Sequence, residues 1–320
     1  MADLCCEPLH YPSADGRHTV SAVIYTRPDV PVRAVLQLSH GMCEYVRRYE
    51  PMAAFYAARG IALAGNDHLG HGDTARPGEH GHYGGPGGRY YLLQDLHAMN
   101  AHLQQRFPGV PVFLYGHSMG SFYARWYAER WPHTIRGLIL SGTAGPSPVN
   151  RAGWVLASLL ARVKGAAQVS PLMVKLNFGG YCKRIPGAAS PNAWLTREDA
   201  VVQAYDADPL CTFPFTAGTY REMLATLNHV SSRKWARAID RDLPVLLIAG
   251  DADPVGGYGA GVRKVWAMLG DAGVRDLTCR IWEGARHELH KETNREEAVS
   301  YKHLTLTTKL ECRSRWSPYH

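Results

Sequence analysis

The sequence predicts an α/β protein in which a mostly parallel sheet is flanked by helices and carries an inserted helical cap. Three observations support this fold class. Short apolar runs alternate with longer helix-like segments as far as Ser141, and the alternation returns at Pro244. The turn from Gly116 to Gly120 has the pattern Gly-x-Ser-x-Gly and joins an apolar run to a helix-like segment. The interruption between Ser141 and Pro244 leaves room for a separate helical unit.

The first half of the chain begins with an antiparallel edge and continues as βα units. Residues 18–26 alternate like a strand, and the preceding Asp15-Gly16 pair is a favoured hairpin turn. Residues 34–39 read as a short buried strand that ends in His40-Gly41-Met42, as expected where a strand delivers a loop to the carboxyl edge of a sheet. The other elements predicted for this half are helices at 49–59, 89–107 and 121–128 and strands at 61–65, 111–115 and 135–141.

The second half contains the inserted segment. A basic amphipathic helix over 153–164 and a second apolar stretch over 171–178 predict a lid. Strands at 244–250 and 277–282 then flank a helix at 260–269. We therefore divide the chain into a core of residues 1–146 and 241–298, a cap of residues 147–240 and an atypical tail of residues 299–320.

Charge and composition exclude several classes of protein. Residues 147–197 hold seven basic and no acidic residues, and residues 299–320 contribute +3, so the net charge of +7 leaves the remainder at −3. A nucleic-acid-binding face on the core is therefore not expected. The chain has no apolar run of about 18 residues and no secretory signal at its N-terminus, which favours a cytoplasmic protein. Its seven cysteines have no zinc or redox spacing and are expected to be reduced thiols.

The Gly-x-Ser-x-Gly turn makes Ser118 a candidate nucleophile. A serine hydroxyl is a poor nucleophile at neutral pH, so it needs a base and a carboxylate that orients the base. Asp251 and Asp253 follow one late strand and His287 follows the next, which gives the chain order Ser, Asp, His. The alternative is that Ser118 only caps a glycine-flanked helix start.

Two other motifs suggest bound groups, and neither is convincing. His68, His71, His80 and His82 lie close in sequence, but no pair has the one-turn helical spacing of a zinc helix, so we expect no metal. The glycine-rich stretch 84–88 lacks the Gly-Lys-Ser/Thr ending of a phosphate-binding loop and does not follow a strand. We expect no cofactor.

Taken together, the motifs over residues 15–298 resemble those of the α/β-hydrolases in the monoacylglycerol lipase and lysophospholipase group, which is serine aminopeptidase S33-like. The matching residues are His40-Gly41, Glu44, Arg48-Tyr49, Asp67-His68, Gly70-His71-Gly72, Gly116 to Gly120, Asp253, and Glu283-Gly284-Ala285 with His287. As a set they are far more specific than any one motif.

The resemblance implies a serine esterase with a catalytic triad. Ser118 would be the nucleophile, His287 the base, and Asp253 rather than Asp251 the orienting carboxylate. Asp251 stays a rival because it lies two residues away. His290 is a second candidate base that does not match the family position.

The resemblance also implies where the oxyanion of a tetrahedral intermediate would bind. The family supplies backbone N–H donors after the nucleophile and after the His-Gly pair, which here are those of Met119 and Met42. Met42 stands where the family commonly has a small residue, and Tyr45 replaces a polar one, so we expect acyl or glycerol-end selectivity to differ from the family's. His40 and His117 are expected to be structural.

The leading hypothesis is a cofactor-free hydrolase of lipid-like carboxylic esters, either monoacylglycerol or lysophospholipid. Acyl transfer to an alcohol, or other α/β-hydrolase chemistry such as C–C hydrolysis on the same triad, is the runner-up. A non-catalytic ligand-binding scaffold is the third hypothesis. The basic apolar cap suggests transient contact with anionic lipid surfaces, and the alternative is solvated charge over a substrate tunnel. After Ala298 the helical pattern is lost, and residues 299–320 look foreign to the family.

Overall fold

The structure is a computed structural model that describes residues 3–83, 85 and 87–295 of the 320-residue chain. The predicted tail, and the end of the helix predicted to begin at Asn294, lie outside these residues. Within the described ranges one sheet of eight strands runs through the molecule. The strands are Cys5–Pro12 (β1), Thr19–Thr26 (β2), Ala34–Ser39 (β3), Ile61–Asn66 (β4), Val112–His117 (β5), Gly137–Ser141 (β6), Val245–Gly250 (β7) and Leu277–Trp282 (β8).

The strand order is β1-β2-β4-β3-β5-β6-β7-β8. The first two strands form an antiparallel hairpin at the edge, and β2 also pairs antiparallel with β4. All later pairings are parallel. The predicted mostly parallel sheet with an antiparallel edge is therefore confirmed. Because parallel strands end on the same side, the loops after β3, β5, β6, β7 and β8 meet at one carboxyl edge.

Helices cover both faces of the sheet, which is why its central strands are buried along their whole length. In β5, Phe113 and Tyr115 pack in a cluster with the helix Glu50–Ala57, whereas Leu114 packs in the cluster that contains the helices Met119–Arg130 and Ala260–Asp271. The helices are Glu50–Ala57 (α1), Gly88–Arg106 (α2), Met119–Arg130 (α3), Pro148–Lys164 (α4), Pro171–Phe178 (α5), Asp199–Ala207 (α6), Ala217–Val230 (α7), Arg233–Ala238 (α8) and Ala260–Asp271 (α9).

Five helices, α4 to α8, lie between β6 and β7 in the part of the chain described. The start predicted for α4, residue 153, is wrong by five residues. Ser147 caps the helix by accepting a hydrogen bond from the Val149 N–H at 3.3 Å, and Pro148 occupies the first helical position, where its missing N–H costs nothing. The helix packs against α7, and two small side chains on it, Ala157 and Ala161, are buried.

Candidate active site

Ser118 lies on the sharp turn between β5 and α3. Its backbone has φ 51° and ψ −123°, a conformation that costs energy for any residue with a side chain and that is typical of functional turns. A Cβ atom on Gly120 would collide with the carbonyl oxygens of Ser39 and His40, and one on Gly116 would lie 2.6 Å from the Ala124 Cβ. The glycines on both sides of Ser118 are therefore required by close packing. The Ser118 side chain makes no capping hydrogen bond to α3, so the helix-cap alternative does not describe it.

Two further loops bring an imidazole and a carboxylate together. Asp253 follows β7 and His287 follows β8, and His287 Nδ1 lies 2.9 Å from Asp253 Oδ2. Both side chains are almost completely buried. Room for them depends on Gly142 after β6, because a Cβ there would lie 2.8 Å from the His287 Cε1. Asp253 is fixed in turn by the backbone N–H of Val255, which donates to Asp253 Oδ1 at 2.9 Å.

The pKa of His287 is set by two opposing effects. Burial disfavours the charged imidazolium and lowers the pKa, whereas the negative charge of Asp253, 2.9 Å away, raises the pKa. Glu288 and Glu44 add to the second effect, and the net result is a pKa above the usual value for histidine. An imidazole in this setting is a good acceptor of a proton.

Asp251 and His290, the alternatives to Asp253 and His287, make other contacts. Asp251 is exposed and its Oδ1 accepts a hydrogen bond from the backbone N–H of Gly284 at 2.7 Å, so it stabilises the turn after β8. His290 is buried and its ring stacks on Tyr49 with centroids 4.4 Å apart. It does not line the cavity that Ser118 and His287 line.

The loop after β3 lies directly beside Ser118. A Cβ atom on Gly41 would lie 3.1 Å from the Ser118 Cβ, so only glycine lets the loop come this close. The backbone N–H of Gly41 donates to Glu44 Oε1, which holds the loop in place. Met42 and Met119, the residues predicted to provide oxyanion donors, both line the cavity next to Ser118.

A buried cluster of charged side chains joins this loop to the loop that carries His287. Arg48 Nη1 donates to Glu44 Oε2 at 3.0 Å and to Glu288 Oε1 at 2.9 Å, and Lys291 Nζ lies 3.5 Å from Glu288 Oε2. Burial raises the pKa of Glu44 despite the nearby Arg48. For Glu288 burial acts in the same direction, but the charges of Arg48 and Lys291 prevail and hold the pKa well below the usual range.

This charged cluster was not predicted from the sequence. Glu44 and Arg48 have the i, i+4 spacing of an ion pair, which is a usable signal. Glu288 directly follows His287 but is 240 positions from Arg48. That distance in sequence left no local pattern to find.

The inserted segment also contacts the His287 loop. The backbone N–H of Glu288 donates to the Leu195 carbonyl at 2.7 Å, and the Trp194 ring lies 5.0 Å from the His287 ring. Residues 193–195 form a short 3₁₀ turn between α5 and α6, and all three are buried. The contact between this turn and the His287 loop was not predicted from the sequence.

The loop histidines form hydrogen bonds and ring contacts within the fold. His40 Nε2 accepts a hydrogen bond from the His68 N–H at 3.0 Å, and the two rings lie 4.1 Å apart. Burial lowers the pKa of His68 to about 3 and that of His71 to about 4, so both are neutral. His80 contacts the Gly72 carbonyl. In the described ranges, no group of three or more His, Cys, Asp or Glu residues is arranged to hold a metal ion.

A cavity of about 150 Å³ opens above Ser118. Ser118 and His287 line it together with residues from the inserted helices. One wall is apolar and comes from α3 and α7, with Phe122, Met223 and Leu227. The other wall is aromatic and polar. It contains Asn177 and Phe178 at the end of α5, Tyr181 and Trp194 between α5 and α6, and Tyr205 on α6.

Comparison with known proteins identifies the family. A sequence model of the family described as Hydrolase_4, serine aminopeptidase S33, matches residues 30–294. The chain belongs to this family. Human monoglyceride lipase is 28% identical over 292 residues, which cover 88% of this chain and 84% of that protein. The family resemblance inferred from the motifs is thus confirmed.

Solved structures agree with this assignment and with the fold. A thermostable carboxyl esterase from Bacillus coagulans, in a crystal structure described as a complex with glycerol, has a TM-score of 0.86 and 30% identity, with 96% of this chain and 99% of that chain covered. The monoglyceride lipase of Saccharomyces cerevisiae has a TM-score of 0.75 at 18% identity, covering 93% and 94% of the two chains, and shows the fold alone. The protein is an α/β-hydrolase similar to monoglyceride lipases.

Proposed function

We propose that this α/β-hydrolase is a serine esterase that cleaves carboxylic esters of lipid-like substrates, monoacylglycerol or lysophospholipid, through an acyl-serine intermediate. One observation carries the proposal. Ser118 sits on a strained turn in a cavity that also contains His287, and His287 is held at 2.9 Å by the buried Asp253. The names of the relatives, monoglyceride lipase and carboxyl esterase, support the same reaction class.

In the first half-reaction, Ser118 attacks the ester carbonyl. Because His287 Nδ1 faces Asp253, its Nε2 is left to take the proton from the Ser118 hydroxyl. The carbonyl oxygen gains negative charge, which the backbone N–H groups of Met42 and Met119 stabilise. The C–O bond of the alcohol then breaks, and the alcohol leaves with the proton that His287 returns. The products are an acyl-Ser118 ester and the free alcohol.

The second half-reaction uses water in place of Ser118. His287 takes a proton from water, the resulting oxygen nucleophile attacks the acyl carbon, and Ser118 leaves with the proton. The fatty acid is released and the enzyme returns to its starting state. An alcohol could replace water at this step, so acyl transfer remains the alternative on the same residues.

We further propose that residues 147–240 act as a cap over this site. Cavity-lining residues Asn150, Asn177, Tyr181 and Leu224 all come from this segment. The α3/α7 wall of the cavity suits an acyl chain, because burying each methylene contributes about 0.8 kcal/mol.

The outer face of α4 and α5 supports a lipid-surface contact. Val155, Leu159 and Val163 on α4 are 55%, 57% and 71% exposed, and Leu172 and Leu176 on α5 are 50% and 62% exposed. The helical periodicity of the sequence predicts an apolar face at these positions, and the structure turns that face outward. Exposed basic residues accompany it: Arg151, Arg162, Lys164 and Lys175.

Such a combination of apolar and basic side chains fits an anionic lipid surface. No helix in the described part of the chain has both the length and the apolarity needed to span a bilayer. We propose that α4 and α5 rest on the surface that contains the substrate.

An activity panel tests the proposed function. Monoacylglycerols, lysophospholipids and p-nitrophenyl esters of increasing acyl length are compared, and Ser118→Ala is expected to lower kcat by about six orders of magnitude. Ser158→Ala is the matched control, because this serine lies on α4 and donates to the Trp154 carbonyl at 2.7 Å. A folded wild-type protein that hydrolyses none of these esters would overturn the proposal.

A further inference from the structure

A buried carboxylate, that of Glu292, closes the loop that carries His287. Its Oε1 accepts a hydrogen bond from the backbone N–H of Arg286 at 2.8 Å, so the side chain folds back to the residue directly before His287. The same Oε1 accepts from the backbone N–H of Arg197 at 3.2 Å. Oε2 accepts from the Arg197 Nε at 2.8 Å and from the Thr293 N–H at 3.1 Å. The carboxylate is completely buried and does not line the active-site cavity, so the protein itself supplies these hydrogen bonds.

The inserted segment contributes residues 193–197 to this contact, and we call them the 193–197 segment. The backbone N–H of His287 donates to the Trp194 carbonyl at 3.4 Å, next to the contact between the two rings. Arg286 Nη1 donates to two carbonyls of the same segment, at 2.7 and 2.8 Å. Because Glu292 binds the loop and the segment at once, neither can shift without breaking its hydrogen bonds.

The position of the His287 ring matters for both proton transfers of the first half-reaction. The ring must lie within hydrogen-bond reach of the Ser118 hydroxyl and then of the leaving alcohol. A displacement of about 1 Å can lower a rate about a hundredfold. A loop holds a catalytic group less firmly than a helix or a strand does, unless packing and hydrogen bonds fix the loop.

We propose that Glu292 is a positioning residue that fixes His287 by tying its loop to the 193–197 segment. This inference rests on the proposed esterase function. Glu292 touches neither substrate nor the reacting atoms, and it acts through the backbone N–H groups of Arg286 and Arg197. The inserted segment thus holds the catalytic base in place, in addition to its proposed role as a cap.

The test compares an ethyl ester and a p-nitrophenyl ester with the same acyl chain. p-Nitrophenolate can leave without a proton, whereas ethoxide needs the proton that His287 returns, so a displaced His287 should slow the ethyl ester more. The ethyl-to-p-nitrophenyl ratio of the two kcat/KM values is measured for each variant, and an unfolded fraction cancels in this ratio. Glu292→Met should lower the ratio about tenfold, a partial loss of general-acid catalysis.

Two matched variants separate positioning from the ion pair between Arg197 and Glu292. Arg197→Met removes the cation but keeps both backbone N–H groups, so it should lower the melting temperature and change the ratio by less than about twofold. Glu292→Gln keeps an oxygen that can accept from both backbone N–H groups, so it should restore most of the ratio lost in Glu292→Met.

Arg286→Met is a second test, from the other side of the contact. It removes the two hydrogen bonds to the 193–197 segment and should lower the ratio about threefold. This side chain is only half-buried, so the variant should fold even if Glu292→Met does not.

The outcomes separate this inference from the proposed function. An unchanged ratio in Glu292→Met, or in Arg286→Met if only that variant folds, would overturn the positioning role and leave the esterase function standing. An equal fall in Arg197→Met would also overturn it, because the ion pair would then explain the effect. A folded wild-type protein that hydrolyses neither ester would instead contradict the proposed function.

Discussion

The carboxyl edge of the sheet and the outer face of α4 and α5 break the usual rules of burial in opposite ways. At the edge, the carboxylates of Glu44 and Glu288 are buried, and both accept hydrogen bonds from Arg48, whose side chain is only 8% exposed. On the outer face, large apolar side chains such as Leu159 and Val163 are exposed. Buried charges are tolerated only when they are paired, and exposed apolar surface is favourable only when something covers it.

The difference separates two functions within one chain. The paired charges fix the loops around Ser118, so that the site is formed before substrate arrives. The exposed face buries little apolar surface in the folded chain, and we propose that it contacts a lipid surface instead. Changes at the edge should therefore affect catalysis and stability, and changes on the outer face should affect binding to lipid.

The largest effect is expected at the two neighbouring carboxylates. Asp253→Ala removes the partner of His287 and should lower kcat by about four orders of magnitude, whereas Asp251→Ala should have a small effect because Asp251 only stabilises an exposed turn. Steady-state kinetics on a p-nitrophenyl ester measure both variants. Equal losses of kcat in the two variants would show that Asp253 is not the carboxylate that orients His287.

The buried charge cluster should have the next largest effect. Arg48→Met leaves the buried Glu44 without a cation and Glu288 with Lys291 alone, and it should lower the free energy of unfolding by about 3–5 kcal/mol. Arg47→Met is the control, since Arg47 is exposed, and it should change that free energy by less than about 0.5 kcal/mol. Urea titration of both variants provides the numbers. If Arg48→Met lowers the free energy of unfolding no more than Arg47→Met does, the cluster does not hold the loops together.

The outer face should have a smaller effect that is confined to lipid binding. The Leu159→Glu/Val163→Glu double variant should bind vesicles containing phosphatidylserine at least about tenfold more weakly, because apolar contact is lost and like charges repel. Trp266→Glu, at a half-exposed position on α9, is the control. Co-sedimentation measures the binding. Wild-type binding that does not depend on phosphatidylserine content or on salt would contradict this proposal.

The smallest effect is expected on the pH dependence of kcat/KM. His287 must be neutral to accept a proton, so kcat/KM falls as the pH drops below its pKa. Because Asp253 raises this pKa, the fall should begin above about 6.5, the usual value for histidine. In Asp253→Asn the attraction is gone while burial still lowers the pKa, so the acid limb should move to lower pH. A limb that stays in place would mean that His287 is not the group being titrated.

The fold was predictable from sequence to a large extent because its signals are local. The strands at 34–39 and 277–282 have the bounds that their apolar runs predict. The start of α4 was misplaced because the Ser147-Pro148 signal precedes the apolar periodicity by five residues. The direction in which the α4 face points was not predictable either, since a helical period shows which side chains share a face but not what covers that face.

The candidate site was predictable only in part. The turn around Ser118 and the loops of Asp253 and His287 have strong local patterns, and the family motifs distinguish Asp253 from Asp251. Arg48 and Glu288 meet only in the folded chain, across 240 positions.

We propose that Ser118 is an activated nucleophile that forms a covalent acyl intermediate. This is measured most directly by intact-protein mass spectrometry after treatment with a long-chain alkyl fluorophosphonate, followed by peptide mapping. We expect a single adduct on Ser118, slow labelling in Asp253→Ala and none in Ser118→Ala. Labelling of the Ser118→Ala variant at the wild-type rate, or no labelling of the folded wild-type protein, would contradict it.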